Sequence, residues 1–208
     1  MKKMAMALAA ALMVLGVSTA FAATPSKTTT DVTHVQKVEA VKEDGTVAAA
    51  DGWNLEVTED ADEVTSEIAK IYAHVVTAGN SAVSYFPTET QEALAELFGK
   101  DFDLKTLSMN EFVTLKLTGF EKVTGDAKVT GDAKVVFTFT TKYEVGKKVA
   151  VVLGLYNGER DAKGQYVVDW KVLEAEVLEN GDLSVVFPLD VLAQMNDAVA
   201  VSMAVLGE

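Results

Sequence analysis

The sequence predicts an α+β protein in which an antiparallel β-sandwich of about six to eight strands carries a packed two-helix segment. Residues 134–187 contain four apolar runs separated by turns that hold Gly or Asn. In residues 135–143, apolar and polar side chains alternate with the period of two that a half-buried strand requires. Residues 149–156 and 198–206 are apolar on both faces, as expected of strands in the middle of a sheet.

Short strands joined by tight turns make up the second half of the chain. The predicted strands are residues 112–120, 135–143, 149–156, 166–178, 183–187 and 198–206. Asn180-Gly181 tolerates the positive φ of a hairpin turn, and Pro188 cannot continue the strand that ends at Phe187. A series of short strands with short connections is typical of a β-sandwich.

Two short segments near the start of the chain are expected to form a β-hairpin. Residues 32–41 mix valines with polar residues, and an apolar alternation follows at residues 53–57. Asp44-Gly45 between them is a favoured hairpin turn. The pattern therefore predicts that these two segments pair with each other.

The first of two predicted helices spans residues 61–78. Thr58 or Asp60 would cap its start, and Gly79 stands where a left-handed C-terminal cap is expected. The apolar positions recur at helical spacing on one face, namely Val64, Ile68, Ile71, Tyr72 and Val75. Such a stripe must be buried against another apolar surface.

The second predicted helix begins near Thr88. Thr88 and Gln91 have capping-box spacing, and Gly99 is expected to end the helix. Its apolar face also needs a cover, and the sandwich offers the largest apolar surface. We therefore expect the hairpin and helices of residues 31–108 to dock on the sandwich of residues 109–208 and to unfold with it.

The first residues have the pattern of a secretory signal peptide. Lys2-Lys3 forms the positive region, an apolar run follows at residues 4–17, and Ala20-Phe21-Ala22 is a small-x-small cleavage motif. A membrane anchor is the alternative, but a span needs roughly 20 apolar residues and this run has about 14. We expect cleavage after Ala22, which would remove residues 1–22 and leave a flexible linker at residues 23–30. The secreted chain would keep no membrane segment.

The chain is strongly acidic, with 31 Asp and Glu against 18 Lys and Arg. Loss of Lys2 and Lys3 with the signal peptide would change the net charge from −13 to −15. A nucleic-acid partner is therefore not expected, since a polyanion would be repelled and no Lys/Arg cluster opposes the field. The absence of Cys excludes a disulfide framework, a thiolate zinc site, a Cys nucleophile and a lipidated Cys.

No catalytic residue, metal site or cofactor is predicted. The two histidines, His34 and His74, lie far apart in the sequence. Neither has a Ser nucleophile motif or a second metal ligand at short spacing. A hydrolase that uses two carboxylates stays open as an alternative, because such a pair needs to converge only in space.

A six-residue repeat, VTGDAK, occurs at residues 123–128 and again at residues 129–134. Asp126 and Asp132 could be ligands of Ca²⁺, which takes roughly six to eight oxygens. The alternative is a duplication within a surface turn, where an insertion costs little stability. We prefer the surface turn, because two carboxylates are few for a Ca²⁺ site.

The two tryptophans are assigned different environments. Trp53 follows a Gly and precedes an Asn after a turn, so it is predicted to be exposed. It is the single candidate ligand-binding residue, as a platform on which a sugar could stack. Trp170 alternates with Val168 and Val172 and is predicted to fill the core.

Residues 132–206 carry a recognisable order of motifs. The run GKKVAVVLGLYNG is followed by VDWKVLEAEVLENGDLSVVFP and then by a closing apolar strand. This order resembles the small immunoglobulin-like β-sandwich of uncharacterised signal-peptide-bearing proteins from Gram-positive gut bacteria. The resemblance implies an extracytoplasmic, non-catalytic module, and it assigns no functional residue.

The signal peptide, the strand pattern and the lack of catalytic motifs together favour one function. It is a secreted, non-catalytic interaction or structural module at the bacterial cell surface, with a protein or a glycan as partner and without a cofactor. A carbohydrate-binding module that uses Trp53 is the alternative.

Overall fold

The computed structural model describes residues 35–42, 54–57, 81–120, 132–139 and 142–208. The strands are β1 Val35–Lys42, β2 Asn54–Val57, β3 Ser108–Thr118, β4 Ala133–Phe139, β5 Val149–Arg160, β6 Tyr166–Val177, β7 Leu183–Phe187 and β8 Ala200–Gly207. The helices are α1 Thr88–Phe98 and α2 Leu189–Asp197, with short 3-10 helices at Ala82–Tyr85 and Leu104–Thr106. An antiparallel α+β protein is thereby confirmed.

All eight of these strands belong to one antiparallel sheet, in the order β1-β4-β7-β6-β5-β8-β3-β2. The sheet curls, so that Cα atoms of its two edge strands, β1 and β2, come within 8 Å of one another. An immunoglobulin-like sandwich needs two separate sheets packed face to face. The two-sheet arrangement is therefore not confirmed for the described strands. β5 and β8 are central in this order, as their two apolar faces predicted.

The predicted N-terminal hairpin needs correction. β1 forms its ladder with β4, where Val38 lies opposite Phe137, and β2 forms its ladder with β3, where Leu55 lies opposite Leu117. The two strands thus lie at opposite ends of the sheet order and share no ladder in the described residues. Both pairings are long-range in sequence, and an alternation of side chains cannot reveal them.

Most predicted strands and the second helix are confirmed, with shifted ends. β7 has the predicted bounds, whereas β3 starts four residues earlier, at Ser108. A register shift between Met109 and Glu111 places Met109 and Phe112 in the same core, and this breaks the alternation. The predicted helix over residues 61–78 lies outside the described residues.

Helix α1 is confirmed, but its capping box is not. Pro87 is the N-cap and makes no side-chain capping bond, so Thr88 is already helical. Gln91 Nε2 instead donates to the carbonyl oxygen of Phe86 at 2.7 Å. Gly99 ends the helix with φ 107°, a conformation that side-chain-bearing residues rarely adopt.

The sheet has an apolar core on each face. The α2 core contains Val191, Leu192 and Met195 from α2. It also contains residues from each of the seven strands β2 to β8, such as Phe137 on β4 and Leu153 on β5. The α1 core lies on the opposite face. It contains Ala82, Val83, Phe86, Leu94, Phe98, Leu107, Met109, Phe112, Ala150, Val152, Tyr156, Ala200, Ala204 and Leu206. Because β5 and β8 contribute to both cores, α1 and α2 are joined through the same central strands.

Candidate functional site

The sheet splits between β6 and β7. β5 pairs with β6 from Tyr166 to Ala175, but β7 pairs with β6 at residues 175–177 alone. The stretch of residues 166–174 therefore has a strand on one side and no paired strand on the other among the described residues. We call the unpaired side of residues 166–174 the β6 ledge.

Two hydrogen bonds establish which backbone groups point out of the β6 ledge. Leu178 N–H donates to Asp182 O on the β7 side at 2.8 Å, and Asp161 N–H donates to Gln165 O on the β5 side at 2.7 Å. Backbone groups point to alternate sides along a strand. The even-numbered residues Val168, Trp170 and Val172 therefore direct their N–H and C=O groups away from β5, towards the open side.

The side chains along the β6 ledge form one apolar and one mixed stripe. Even-numbered Tyr166, Val168, Trp170 and Val172 pack against the α1 core. On the other face Val167 is 40 % exposed. Lys171 Nζ lies 2.8 Å from Asp169 Oδ2 on that same face. Charged residues on an exposed edge commonly protect it from unwanted pairing, which is the structural alternative to a binding role.

Trp170 is held by aromatic contacts on three sides. Its ring centroid lies 5.9 Å from that of Tyr85, 5.2 Å from that of Phe86 and 6.5 Å from that of Tyr156, all edge to face. Gly154 stands opposite Trp170 on β5, where a Cβ atom would meet Trp170 Cζ3 at 2.9 Å. The prediction that Trp170 shares a core-facing side with Val168 and Val172 is confirmed, but all three are half-buried and pack against the α1 core, so Trp170 does not fill a core.

Hydroxyl groups behind Trp170 form a buried polar pair. Tyr156 Oη and Ser202 Oγ are 3.3 Å apart. Burial raises the pKa of Tyr85 to about 12, and burial also raises the pKa of Tyr156. Both phenols are therefore protonated at neutral pH, so they act as hydrogen-bonding core residues and not as activated nucleophiles.

The tip of the β5–β6 hairpin is exposed but ordered by its own contacts. The Arg160 guanidinium lies 3.9 Å from the Tyr166 ring centroid and donates to Tyr166 Oη and to Gly164 O. Asp161 Oδ1 accepts from the backbone N–H groups of Lys163 and Gln165, both at 2.8 Å. These bonds hold the end of the β6 ledge in a defined conformation.

A buried carboxylate fixes the other end of β6. Asp182 Oδ1 accepts from Lys142 Nζ at 2.5 Å, and Oδ2 accepts from Thr138 Oγ1 and Asn180 Nδ2, both at 2.9 Å. Burial pushes the pKa of Asp182 upward, but these donors outweigh it and hold the pKa below its usual value. A carboxylate of this kind is an anchor for the turn, since a general acid requires a raised pKa.

A cavity of about 340 Å³ lies between β3, the start of β8 and the end of α2. Seven of the residues that line it are apolar, and Thr114, Lys116 and Asn196 are polar. Thr114 is 2 % exposed, and its hydroxyl has no hydrogen-bond partner among the described residues. Glu56 stands directly opposite Lys116 on β2. The cavity therefore offers little net charge for selecting an ionic ligand.

Several sequence-predicted residues fall outside the described parts of the chain. Trp53, His34 and His74 are among them, so the proposed sugar platform stays a prediction. The first repeat copy is also outside, while Asp132 of the second copy accepts from Leu189 N at 3.1 Å and so caps the start of α2. The described residues contain no cluster of three or more metal-ligating side chains and no helix long and apolar enough to cross a membrane.

Sequence patterns could not have revealed the β6 ledge. Residues 166–178 were predicted as one strand, and this prediction is confirmed apart from one residue at its end. Among the described residues, the first part of β6 has no paired strand on one side because β7 pairs with β6 only from residue 175 onward. Pro188, directly after Phe187, is the one sequence signal that β7 is short. Comparison with protein-family models, with curated protein sequences and with solved structures finds no match to this chain.

Proposed function

We propose that this chain is a secreted, non-catalytic interaction or structural module at the bacterial cell surface, and that it associates through the β6 ledge by strand addition. The observation that carries the proposal is the row of outward backbone groups at Val168, Trp170 and Val172, on a strand edge that pairs with no other described strand. In strand addition, such groups supply the main-chain hydrogen bonds, and the alternating side chains supply specificity.

The surroundings of the β6 ledge favour this mode of binding. The aromatic contacts of Trp170 and the ordered hairpin tip hold the strand extended before any partner arrives. A preformed strand loses little conformational entropy on binding, so more of the hydrogen-bond energy appears as affinity. The signal-peptide pattern of residues 1–22 supports the extracellular location.

Site-specific crosslinking on cells tests the proposal. The chain has no Cys, so Val167→Cys introduces a single thiol on the β6 ledge for a photoreactive label. The labelled, exported chain is added to intact cells that produce it and irradiated. We expect covalent adducts with a cell-surface component, which is either another molecule of this chain or a different protein.

Two further variants make the crosslinking result specific. Val145→Cys, at a position 60 % exposed and outside the ledge, should give no such adduct. Adding Val168→Pro to Val167→Cys should abolish the adduct, because proline removes the outward N–H and blocks pairing. Equal labelling from all three proteins, or no adduct from any of them, would overturn the proposal. Circular dichroism checks that each variant is folded.

A further inference from the structure

We propose that the occupant of the β6 ledge is the β6 ledge of a second copy of this chain, paired antiparallel about a two-fold axis at Trp170. This inference rests on the site put forward in the proposed function and names its partner. A symmetric dimer needs a surface that is complementary to itself. The β6 ledge meets that condition in its length, its hydrogen bonds and its charges.

The length of the β6 ledge places the axis near its middle, and the hydrogen-bond pattern requires that even-numbered residues of the two copies face each other. The β6 ledge runs from Tyr166 to Glu174, and Trp170 is its midpoint. With the axis there, Val168 lies opposite Val172 of the second copy. The outward N–H and C=O groups of even-numbered residues then face each other along the whole ledge, as an antiparallel ladder requires.

Charge selects this register over its neighbours. With the axis at Trp170, Asp169 lies opposite Lys171 of the second copy, and Lys171 lies opposite its Asp169. An axis at Asp169 would face two carboxylates, and an axis at Lys171 would face two ammonium groups. Like charges directly opposite each other destabilise an antiparallel pair, whereas opposite charges stabilise it. Within one copy Lys171 Nζ and Asp169 Oδ2 already lie 2.8 Å apart, so both side chains are on the same face of the sheet. On that face each can pair with the oppositely charged residue of the second copy instead.

The ends of the β6 ledge are complementary in the same register. Val167, 40 % exposed in one copy, lies opposite Leu173 of the second and would lose its contact with water. Glu174 lies opposite Tyr166 of the second copy. The Arg160 guanidinium covers that tyrosine ring at 3.9 Å, so a cation stands near the Glu174 carboxylate. The same charged residues that discourage other strands therefore favour a second copy.

Sedimentation equilibrium of the exported chain in 0.15 M salt tests the inference. At that salt the Debye length is about 8 Å, so the long-range repulsion between two acidic chains is screened more than direct ion pairs are. The wild-type chain is expected to sediment with twice the mass of one chain at micromolar or higher concentration. Val168→Pro should give a single-chain mass at the same concentration.

Substitutions that reverse the charge at position 169, at position 171 or at both make the test specific to the proposed register. Asp169→Lys alone and Lys171→Asp alone each place like charges opposite each other, so each should weaken dimerisation roughly tenfold or more. The double variant D169K/K171D should restore it. An equimolar mixture of the two single variants should form a mixed dimer, because opposite charges meet again in that pair. Matching melting curves exclude loss of folding as the cause.

The outcomes separate this inference from the proposed function. A dimer that persists in Val168→Pro, or single variants that dimerise like wild type, would overturn the inference because the contact would lie elsewhere. A chain that stays monomeric while Val167→Cys still crosslinks to a different surface protein would overturn the inference and leave the proposed function standing. Restoration in the double variant and in the mixture supports both.

Discussion

At the scale of single residues, Asp182 shows how one buried carboxylate can define a turn. It is 6 % exposed and joins Thr138 on β4, Lys142 after β4 and Asn180 in the β6–β7 turn. Gly181 beside it has φ 79°, and a Cβ atom there would meet Lys142 Cβ at 2.7 Å. The turn that lets β7 diverge from β6 therefore depends on charge and on the lack of a side chain at position 181.

Asp182→Asn should lower the free energy of unfolding at pH 7 by about 1–3 kcal/mol, because a neutral amide cannot replace a charge-assisted acceptor. The folded pKa of Asp182 lies below the unfolded one, so its stabilisation is complete above the unfolded pKa and is lost as the pH falls through the folded pKa. The difference between wild type and variant should therefore shrink below about pH 4. Urea unfolding at pH 7 and pH 3 measures it.

Glu176→Gln is the matched control for Asp182→Asn. Glu176 pairs with Lys134 at 3.6 Å, but both side chains are largely in water. Exposed pairs of this kind contribute roughly 0–1 kcal/mol, so little change is expected. An equal loss from Asp182→Asn at both pH values would show that the charge of Asp182 has no part in stability.

Side-chain alternation predicts which face a residue occupies, and it did so for Trp170 together with Val168 and Val172. It does not predict the partner across the sheet. The contact of Trp170 with Gly154 depends on the β5–β6 register, and its contacts with Tyr85 and Phe86 depend on a 3-10 helix far earlier in the chain. Such long-range contacts leave no periodic signal in the sequence.

At the scale of elements, α1 covers the face of β6 that carries Trp170. Leu94 is fully buried and Phe98 nearly so, while Leu97 is half-buried at the margin of the same core. Lys148 Nζ donates to the carbonyl oxygens of Leu97 and Phe98. These two carbonyl groups lie at the C-terminal end of α1, where the helix itself supplies no N–H partner. The helix is thus joined to the strand that begins at Val149.

Leu94→Ala should lower the free energy of unfolding by roughly 2–5 kcal/mol, through lost burial and a cavity. Because α1 packs on β6, far-UV circular dichroism and Trp170 fluorescence should report one common transition. The experiment uses a Trp53→Phe background so that Trp170 is the one tryptophan observed. Glu92→Ala, on the exposed face, should change stability by less than about 0.5 kcal/mol. Loss of helical signal ahead of the fluorescence change would contradict the docking of α1 on β6.

Residues that form turns or end helices, namely Gly, Asn and Pro, allowed the ends of several elements to be predicted from sequence. Asn180-Gly181 and Pro188 bracket β7, and Gly99 ends α1. The start of α1 near Thr88 was predicted correctly, but its N-cap was not, because Thr88 and Gln91 have capping-box spacing although Pro87 is the N-cap. The start of β3 was missed because a register shift near Met109 interrupts the alternation on which the prediction depended.

At the scale of the whole molecule, one curled sheet carries a core on each face. Sequence predicted the antiparallel strands and the two central ones, but not that they would join as a single sheet. The order is decided by long-range pairings such as β1 with β4 and β3 with β8. The β6 ledge follows from the same order, because β7 pairs along β4 and leaves the first part of β6 without a second neighbouring strand among the described residues.

The most direct test of the β6 ledge is amide hydrogen exchange, followed by NMR at single-residue resolution while the protein is diluted. In the dilute chain the amides of Val168, Trp170 and Val172 should exchange fast, whereas those of Asp169 and Lys171, bonded to β5, should be protected. At high concentration the first three should become protected as the ledges pair. Protection of those three at every concentration would show that the edge is already paired within one chain, and would contradict the account.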